Sequence, residues 1–137
     1  MPKLDQCHDQ IVHALEKAGW TVSSNPYILR VENRRLYIDM FAQMTHPEQP
    51  KRIIIIEAKC FSDFRDELNE LYTAIGQYLT YLGLLEEAGI NDSLYLAIPT
   101  HAYRGVFQQF ATPIMSKILI KMIVVDLEAE EIEQWLE

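Results

Sequence analysis

The strongest restriction on the fold comes from a run of four isoleucines, Ile53–Ile56, which Glu57, Ala58 and Lys59 follow directly. Four β-branched residues in a row predict a short central strand buried on both faces, because such side chains pack well on a pleated surface. Side chains alternate along a strand, so Glu57 and Lys59 point to the same side. Since unpaired buried charge is costly, an acid and a lysine leaving the core together suggest a divalent metal site with an adjacent cation.

A second carboxylate lies upstream, in the apolar run Leu36–Ala42, which Asp39 interrupts. If this run is the neighbouring strand, Asp39 lies beside Glu57, and two carboxylates with waters and phosphate oxygens suit Mg²⁺ or Mn²⁺. Lys59 would then neutralise phosphate charge or orient the attacking water. The alternative is that both acids merely begin or end strands and pair with Lys59 or an arginine.

Length and composition indicate one globular domain over residues 1–137, with 49% hydrophobic and 23% charged residues. No apolar run approaches a membrane span, and the N-terminus lacks the pattern of a signal peptide. Cys7 and Cys60 are too few and too isolated for a disulfide framework or a zinc cluster, which favours a reducing cytoplasm. We therefore expect a cytoplasmic protein without a membrane partner.

The net charge of −8 argues against tight, sequence-independent DNA binding by this chain alone. The acidity is uneven, however. Residues 1–60 contain eight Lys and Arg against seven Asp and Glu, whereas residues 61–137 contain four against thirteen. Six of those acids fall between Asp126 and Glu137. The half that carries the predicted site is therefore close to neutral.

Hydrophobic periodicity and Gly/Pro positions predict the order of the elements. The first half is predicted as a helix over Asp5–Ala18, a hairpin of strands Tyr27–Val31 and Leu36–Ala42, a loop over Met44–Lys51 and then the isoleucine strand. The second half is predicted as a helix from Asp66 to Ala88, a strand over Ser93–Ile98, a helix from Thr100 to about Lys117 and a last strand over Leu119–Val125. Thr100 is expected to cap its helix and Pro113 to kink or shorten it, and Ile132, Trp135 and Leu136 are expected to dock the acidic remainder.

The long helix carries two further predictions. Gln77 and Tyr81 are four residues apart and therefore neighbours on one face, either at a helix–sheet boundary or in the site. The apolar residues of the helix lie on more than one side and include Tyr78, Leu82 and Leu85. We expect part of this surface, or the apolar side of the C-terminal strand, to lie in a homodimer or a partner interface. On the first helix, His8 and Glu16 could reach a site from behind the sheet, although a solvated face is the expected place for Glu16.

This order, an α/β fold with a mixed sheet flanked by helices, resembles the three-layer restriction-endonuclease-like sandwich of the PD-(D/E)xK nuclease superfamily. The resemblance implies that Asp39 is the metal-binding acid, Glu57 the second acid and Lys59 the catalytic lysine. Ile38 stands where the superfamily name has proline, a position at which proline is dispensable.

Gln77-x-x-x-Tyr81 is similar to the Gln-x-x-x-Tyr motif of the RecB-like branch of that superfamily, where the motif supports DNA and the geometry of the site. The resemblance therefore adds Gln77 and Tyr81 to the predicted catalytic set, with Mg²⁺ or Mn²⁺ as cofactor and DNA as partner.

Nearly the whole chain resembles the XisH family, the fdxN-element excision controlling factors of cyanobacteria. The collinear segments that carry this resemblance are Cys7–Asp9, Leu15–Trp20, Tyr37–Asp39, Ile56–Phe61, Thr73–Leu79, Tyr95–Pro99 and Gln134–Trp135. The family implies a role in controlling excision of a DNA element by a site-specific recombinase, together with a small XisI-like partner. The family name does not imply DNA cleavage.

Three functions follow from these residues. The first is a metal-dependent phosphodiesterase in which Asp39 and Glu57 bind the cation, Lys59 assists the attacking water, and Gln77 and Tyr81 hold the strand or the lysine. The second is a non-catalytic regulator or adaptor on a nuclease scaffold, which the low basic content and small size favour. The third is a toxin-like or antitoxin-like module of a two-gene pair. Fold alone does not choose among them.

Overall fold

The computed structural model describes residues 6–137, apart from the side chains of His46 and Gln49. Its helices are α1 (His8–Lys17), α2 (Glu67–Glu87), α3 (Thr100–Ala102), a π-helical stretch (Tyr103–Ala111) and α4 (Thr112–Met115). Its strands, β1 to β8 in chain order, are Thr21–Val22, Tyr27–Val31, Arg34–Ile38, Met40–His46, Gln49–Ala58, Ser93–Pro99, Met122–Asp126 and Glu131–Leu136. The predicted start of α1 at Asp5 lies outside the described residues.

Six strands form one mixed sheet in the order β1-β4-β5-β6-β7-β8. The central pairs β5–β6 and β6–β7 are parallel, and the flanking pairs are antiparallel. Strands β2 and β3 form a separate antiparallel hairpin. The prediction of an α/β fold with a mixed sheet and helices is therefore confirmed.

The isoleucine run is the central strand β5, as predicted, and it is buried on both faces. Ile54 and Ile56 pack with α1 residues such as Ile11, whereas Ile55 packs with α2 residues such as Tyr78. All three isoleucines are fully buried. Burial of each such side chain contributes roughly 1.5–3 kcal/mol, so this strand anchors both layers of the core.

Helix α2 begins and ends close to the predicted bounds. Asp66 is the residue before its first turn, and Gly89 follows its last turn with a φ of +74°, a left-handed conformation that glycine adopts without strain. None of the helices among residues 6–137 is long and apolar enough to cross a membrane.

Two of the apolar α2 residues considered for a homodimer or partner interface, Tyr78 and Leu85, are buried within the chain itself. The Tyr78 hydroxyl donates a hydrogen bond to the Leu94 carbonyl oxygen at 3.2 Å and accepts one from the Lys121 amide at 3.1 Å. Tyr78 thereby ties α2 to the sheet. Leu82 is half-buried.

The predicted loop over Met44–Lys51 is wrong. Strand β4 continues to His46 and β5 begins at Gln49, so only Pro47 and Glu48 connect them. Prolines suggested a loop, but Pro47 lies in the turn itself and Pro50 lies close to the first residue of β5, where strands tolerate a missing N–H.

The helix predicted from Thr100 to Lys117 forms as three consecutive helical pieces. Thr100 is its first helical residue rather than a side-chain cap, because its hydroxyl donates a hydrogen bond to Glu133 at 2.7 Å. The wide π turns occupy the residues that precede Pro113. Proline lacks the N–H that an α-helix would require there, and its ring clashes with the preceding turn.

The acidic remainder does dock, but as an additional strand rather than as a tail. Strand β8 pairs antiparallel with β7, so the predicted last strand has a neighbour. The Trp135 ring lies 6.0 Å from the Trp20 ring and 5.3 Å from the Tyr95 ring between centroids. These aromatic contacts bury apolar surface of β8, although the composition of this segment is acidic.

The contact between α1 and the β7–β8 turn predicts a pH-dependent stability. His13 Nδ1 lies 2.6 Å from Glu130 Oε2, and this hydrogen bond and the charge of Glu130 raise the pKa of His13 above 6.5. Because the folded-state pKa is raised, the added stability is fully present below the unfolded pKa and is lost as pH rises through the folded pKa. Wild type should therefore melt slightly above His13→Gln below about pH 6 and equally with it above about pH 9. A constant difference across this range would contradict the ion pair.

Candidate functional site

Asp39 lies at a bend between β3 and β4, so the predicted strand Leu36–Ala42 is broken at the acid itself. Met40 pairs with Ile56 in the antiparallel β4–β5 ladder, and continuing that register sets Asp39 opposite Glu57. Asp39 Oδ2 accepts a hydrogen bond from the Ala58 amide at 2.8 Å. This bond fixes the Asp39 carboxylate beside the Glu57-Ala58-Lys59 segment.

Glu57 and Lys59 lie at the carboxyl end of β5, next to the carboxyl end of its parallel neighbour β6. The Lys59 amide donates a hydrogen bond to the Ala97 carbonyl oxygen at 3.0 Å, which continues the ladder past the last strand residue. Glu57 is only 5% exposed, and no other Asp, Glu, Lys or Arg among the described residues is buried as deeply. Ligand sites of open α/β sheets lie at this end of the strands.

Tyr81 on α2 lies close enough to Asp39 and Glu57 for their charges to act on its hydroxyl. Burial raises the pKa of the Tyr81 hydroxyl, and the negative charges of Glu57 and Asp39 raise it further. The phenol therefore stays protonated and able to donate a hydrogen bond at neutral pH. The three side chains occupy one region at the boundary between α2 and the sheet.

Gln77 lies one helical turn before Tyr81, as predicted. Its side-chain oxygen is buried and accepts no hydrogen bond within the described part of the chain. An unsatisfied buried acceptor costs about 1–3 kcal/mol, so a bound water or ligand that donated to it would remove that cost.

The Lys59 side chain is half-buried, and its ammonium forms no ion pair within 4.0 Å of a carboxylate among residues 6–137. Asp39 is therefore not neutralised by a salt bridge with Lys59 in the described part of the chain. The positive charge of Lys59 at this strand end is able to meet an anionic group of a substrate.

The two acids fit a hard divalent cation with few protein ligands. The described residues contain no group of three or more His, Cys, Asp or Glu side chains that could hold a metal ion. Asp39 and Glu57 together offer two carboxylates, and Mg²⁺ commonly binds through one or two carboxylates while it keeps several waters. The donor set suits Mg²⁺ or Mn²⁺, which stays a prediction.

The pairing of Cys7 with Cys60 was missed by the sequence interpretation, which treated the two as isolated. A disulfide joins them, with their Cα atoms 5.6 Å apart. It connects the start of α1 to the residue directly after Lys59. The signal available in the sequence was that these are its two cysteines, each within a segment that carries the family resemblance.

Two further contacts fix the backbone beyond Lys59. Phe61 is fully buried and has a φ of +52°, a left-handed conformation that is strained for a bulky residue. His101 Nε2 lies 3.0 Å from the Phe61 carbonyl oxygen. Since a carbonyl accepts, the ring nitrogen donates here. The strand end that carries Lys59 is thus held by the disulfide, by Phe61 packing and by His101.

The two α1 residues considered for the site lie on the other side of the sheet from Tyr81. Glu16 is exposed, and its charge acts on His13 rather than on a residue of the site. His8 is half-buried and directly follows Cys7. The structure does not bring His8 or Glu16 together with the predicted set.

Comparison with known proteins identifies relatives over nearly the full chain. The family model described as XisH protein matches residues 1–133. The crystal structure of an XisH family protein from Nostoc punctiforme PCC 73102 is 31% identical, with 97% of this chain and 100% of that chain covered and a TM-score of 0.83. The crystal structure of an fdxN element excision controlling factor protein from Anabaena variabilis is 32% identical, with 95% and 97% covered and a TM-score of 0.82.

No protein of curated function matches the sequence. The family match nevertheless extends well beyond half of the chain, and both solved relatives are more than 30% identical over at least 95% of it, with TM-scores above 0.8. This chain belongs to the XisH family.

Proposed function

We propose that this protein controls excision of a DNA element by site-specific recombination, and that it carries a metal-dependent site for DNA phosphodiesters at Asp39, Glu57 and Lys59. The first part is supported by the relative from Anabaena variabilis, which is named an fdxN element excision controlling factor protein. The second part rests on the hydrogen bond from the Ala58 amide to Asp39 Oδ2, which puts a second acid beside Glu57-Ala58-Lys59.

We also propose that the fold is restriction-endonuclease-like, within the PD-(D/E)xK superfamily. Three features support this assignment: a mixed sheet, helices packed on both of its faces, and an acid near the end of β5 with a second acid directly before its neighbour β4. The position of Gln77 and Tyr81 on the helix that follows β5 also agrees with the RecB-like branch.

In the proposed reaction, Asp39 and Glu57 would hold Mg²⁺ or Mn²⁺, which when bound would neutralise charge on the phosphate and assist deprotonation of water. Lys59 sets a positive charge against the phosphate as negative charge develops in the transition state. Tyr81, kept protonated by burial and by the two acids, donates a hydrogen bond within the site. Gln77 supports that geometry through its buried amide oxygen.

The competing proposal is a non-catalytic regulator that uses the same scaffold and acts through a small XisI-like partner. The observation in its favour is a set of exposed aromatic side chains on and beside α2, since Phe64 is 73% and Tyr72 61% exposed. Such residues are typical anchors of protein interfaces. A homodimer would use a surface of the same kind.

The test of the metal site is thermal unfolding with Mg²⁺ or Mn²⁺. A cation that binds the folded state alone stabilises it by about 2.7 kcal/mol at a hundredfold excess over its dissociation constant. Asp39→Asn should lose most of this stabilisation, because a neutral amide is a weaker ligand for a hard cation. The variant should still fold, since the amide oxygen of asparagine also accepts from the Ala58 amide.

The matched control is Asp92→Asn, which removes one exposed carboxylate directly before β6, at the opposite end of the sheet from the site. This control should gain the same stabilisation from the cation as wild type. If neither cation raises the melting temperature of wild type, the non-catalytic regulator becomes the better description.

A further inference from the structure

The hairpin of β2 and β3, here called the ribbon, forms a two-stranded sheet separate from the six-stranded sheet, and one of its faces is exposed to solvent. Its inner face, with Leu29 and Ile38, is buried in the core cluster that also contains α2 residues. Its outer face carries Ile28 opposite Tyr37 and Arg30 opposite Arg35. All four outer side chains are exposed.

Two arginines opposite each other on one face of a hairpin are unfavourable for folding. Directly opposed residues in an antiparallel pair have Cβ atoms about 4.5–5.5 Å apart, and like charges at that separation destabilise the pair. Among the described residues, no carboxylate forms an ion pair with Arg30, Arg35 or the neighbouring Arg34. The positive charge of these arginines is therefore concentrated at the surface, where it can bind an anionic partner.

The ribbon leads directly into the candidate site. Strand β3 ends at Ile38 and Asp39 follows, so Arg35 lies four residues from the acid, roughly 13 Å along an extended chain. Each strand of duplex DNA carries one phosphate per about 3.4 Å of helix axis. Arg35 therefore lies within a few phosphates of one held at Asp39.

The size of the ribbon also suits a duplex. The major groove, about 12 Å wide, admits a two-stranded β-ribbon. The acids concentrated between Asp126 and Glu137 belong to β7, its following turn, β8 and the residue after it, at the edge of the sheet opposite β1. This uneven charge favours one orientation of an anionic polymer, with the ribbon towards it.

We propose that the outer face of the ribbon, through Arg30, Arg35 and Tyr37, binds the phosphate backbone of duplex DNA beside the Asp39–Glu57–Lys59 site. The location rests on the proposed function, whereas the binding does not require metal or cleavage. The two arginines contact phosphates, and Tyr37 and Ile28 cover the sugar and base edges between them.

The test is Arg35→Glu, which replaces a like-charge pair with an opposite-charge pair. Its melting temperature should be equal to or higher than that of wild type, because Arg30 gains a cross-strand partner. The affinity of this variant for DNA should fall, because Arg35 has been replaced and Arg30 pairs with the new glutamate, so neither arginine contacts a phosphate. A purely structural role would move stability and binding in the same direction.

Binding is measured by fluorescence anisotropy of a labelled duplex in EDTA over a range of salt concentrations. Loss of two phosphate contacts should flatten the plot of log affinity against log salt by about 1.8, equivalent to roughly sixty-fold weaker binding near 0.1 M salt. Lys51→Glu is the control with the same charge change. Lys51 is exposed near the start of β5, roughly 20 Å along that strand from Glu57.

A salt slope for Arg35→Glu equal to that of Lys51→Glu would overturn the proposal, as would a wild type that does not bind the duplex. Because EDTA removes divalent cations, this result is independent of the metal site. If the ribbon binds DNA and Mg²⁺ has no effect on stability, the proposed DNA-binding surface stands and only the proposed metal site is contradicted.

Discussion

Reduction of the disulfide between Cys7 and Cys60 is expected to lower the free energy of unfolding by about 4 kcal/mol. The two residues are 53 positions apart, and the entropy of closing a loop of that length in the unfolded chain gives this magnitude. For a domain of this size the melting temperature should fall by roughly 10–15 °C. Thermal unfolding of oxidised wild type with and without dithiothreitol measures the effect.

The double variant Cys7→Ser/Cys60→Ser is the control for that experiment. Its melting temperature should be low and unaffected by the reductant, because no bond remains to be reduced. An oxidised wild type that contains two free thiols, or that melts at the same temperature with and without reductant, would show that the pair is not joined.

Replacement of Lys59 by alanine should reduce DNA cleavage by about 100- to 1,000-fold, the usual effect of removing one group that stabilises transition-state charge. Stabilisation by Mg²⁺ should be retained or increased, because a positive charge beside the two acids has gone. Cleavage rates and thermal unfolding of the same preparations separate these two effects. If Lys59→Ala loses both cleavage and Mg²⁺ binding, the substitution has instead damaged the site as a whole.

Lys59→Arg keeps the charge but changes its shape and reach, and arginine does not replace a point-like ammonium fully. We expect a rate between those of wild type and Lys59→Ala. Equal rates in wild type and Lys59→Ala would exclude the lysine from the reaction and leave the two acids as a metal site without it.

Local sequence patterns were sufficient to predict the centre of the fold. The isoleucine strand, α2 and the β2–β3 hairpin were predicted because burial, helical periodicity and turn residues act over a few positions. Asp39 was expected beside Glu57 because each acid interrupts an apolar run, and the two runs were predicted to be neighbouring strands. The bend at Asp39, which splits the predicted strand, depends on the hydrogen bond to the Ala58 amide and was not visible in the sequence.

Long-range contacts account for most of the features that were missed. The Cys7–Cys60 bond requires two segments that meet only after α1 has packed on the sheet. Strand β8 is hidden by acidic residues, and its pairing depends on Trp135 meeting Trp20 and Tyr95 from distant parts of the chain. Composition described the segment correctly as polar, but it could not supply the partners that make it a strand.

The most direct test of the proposed phosphodiester site is incubation of wild-type protein with covalently closed duplex DNA in millimolar Mg²⁺ or Mn²⁺. EDTA and the Asp39→Asn variant serve as blanks, and nicked and linear products are separated by electrophoresis. The proposal predicts metal-dependent nicking by wild type and neither product with EDTA or Asp39→Asn. Fully intact circles at an excess of wild-type protein that is saturated with the cation would contradict it and would favour a regulator that binds DNA without cutting it.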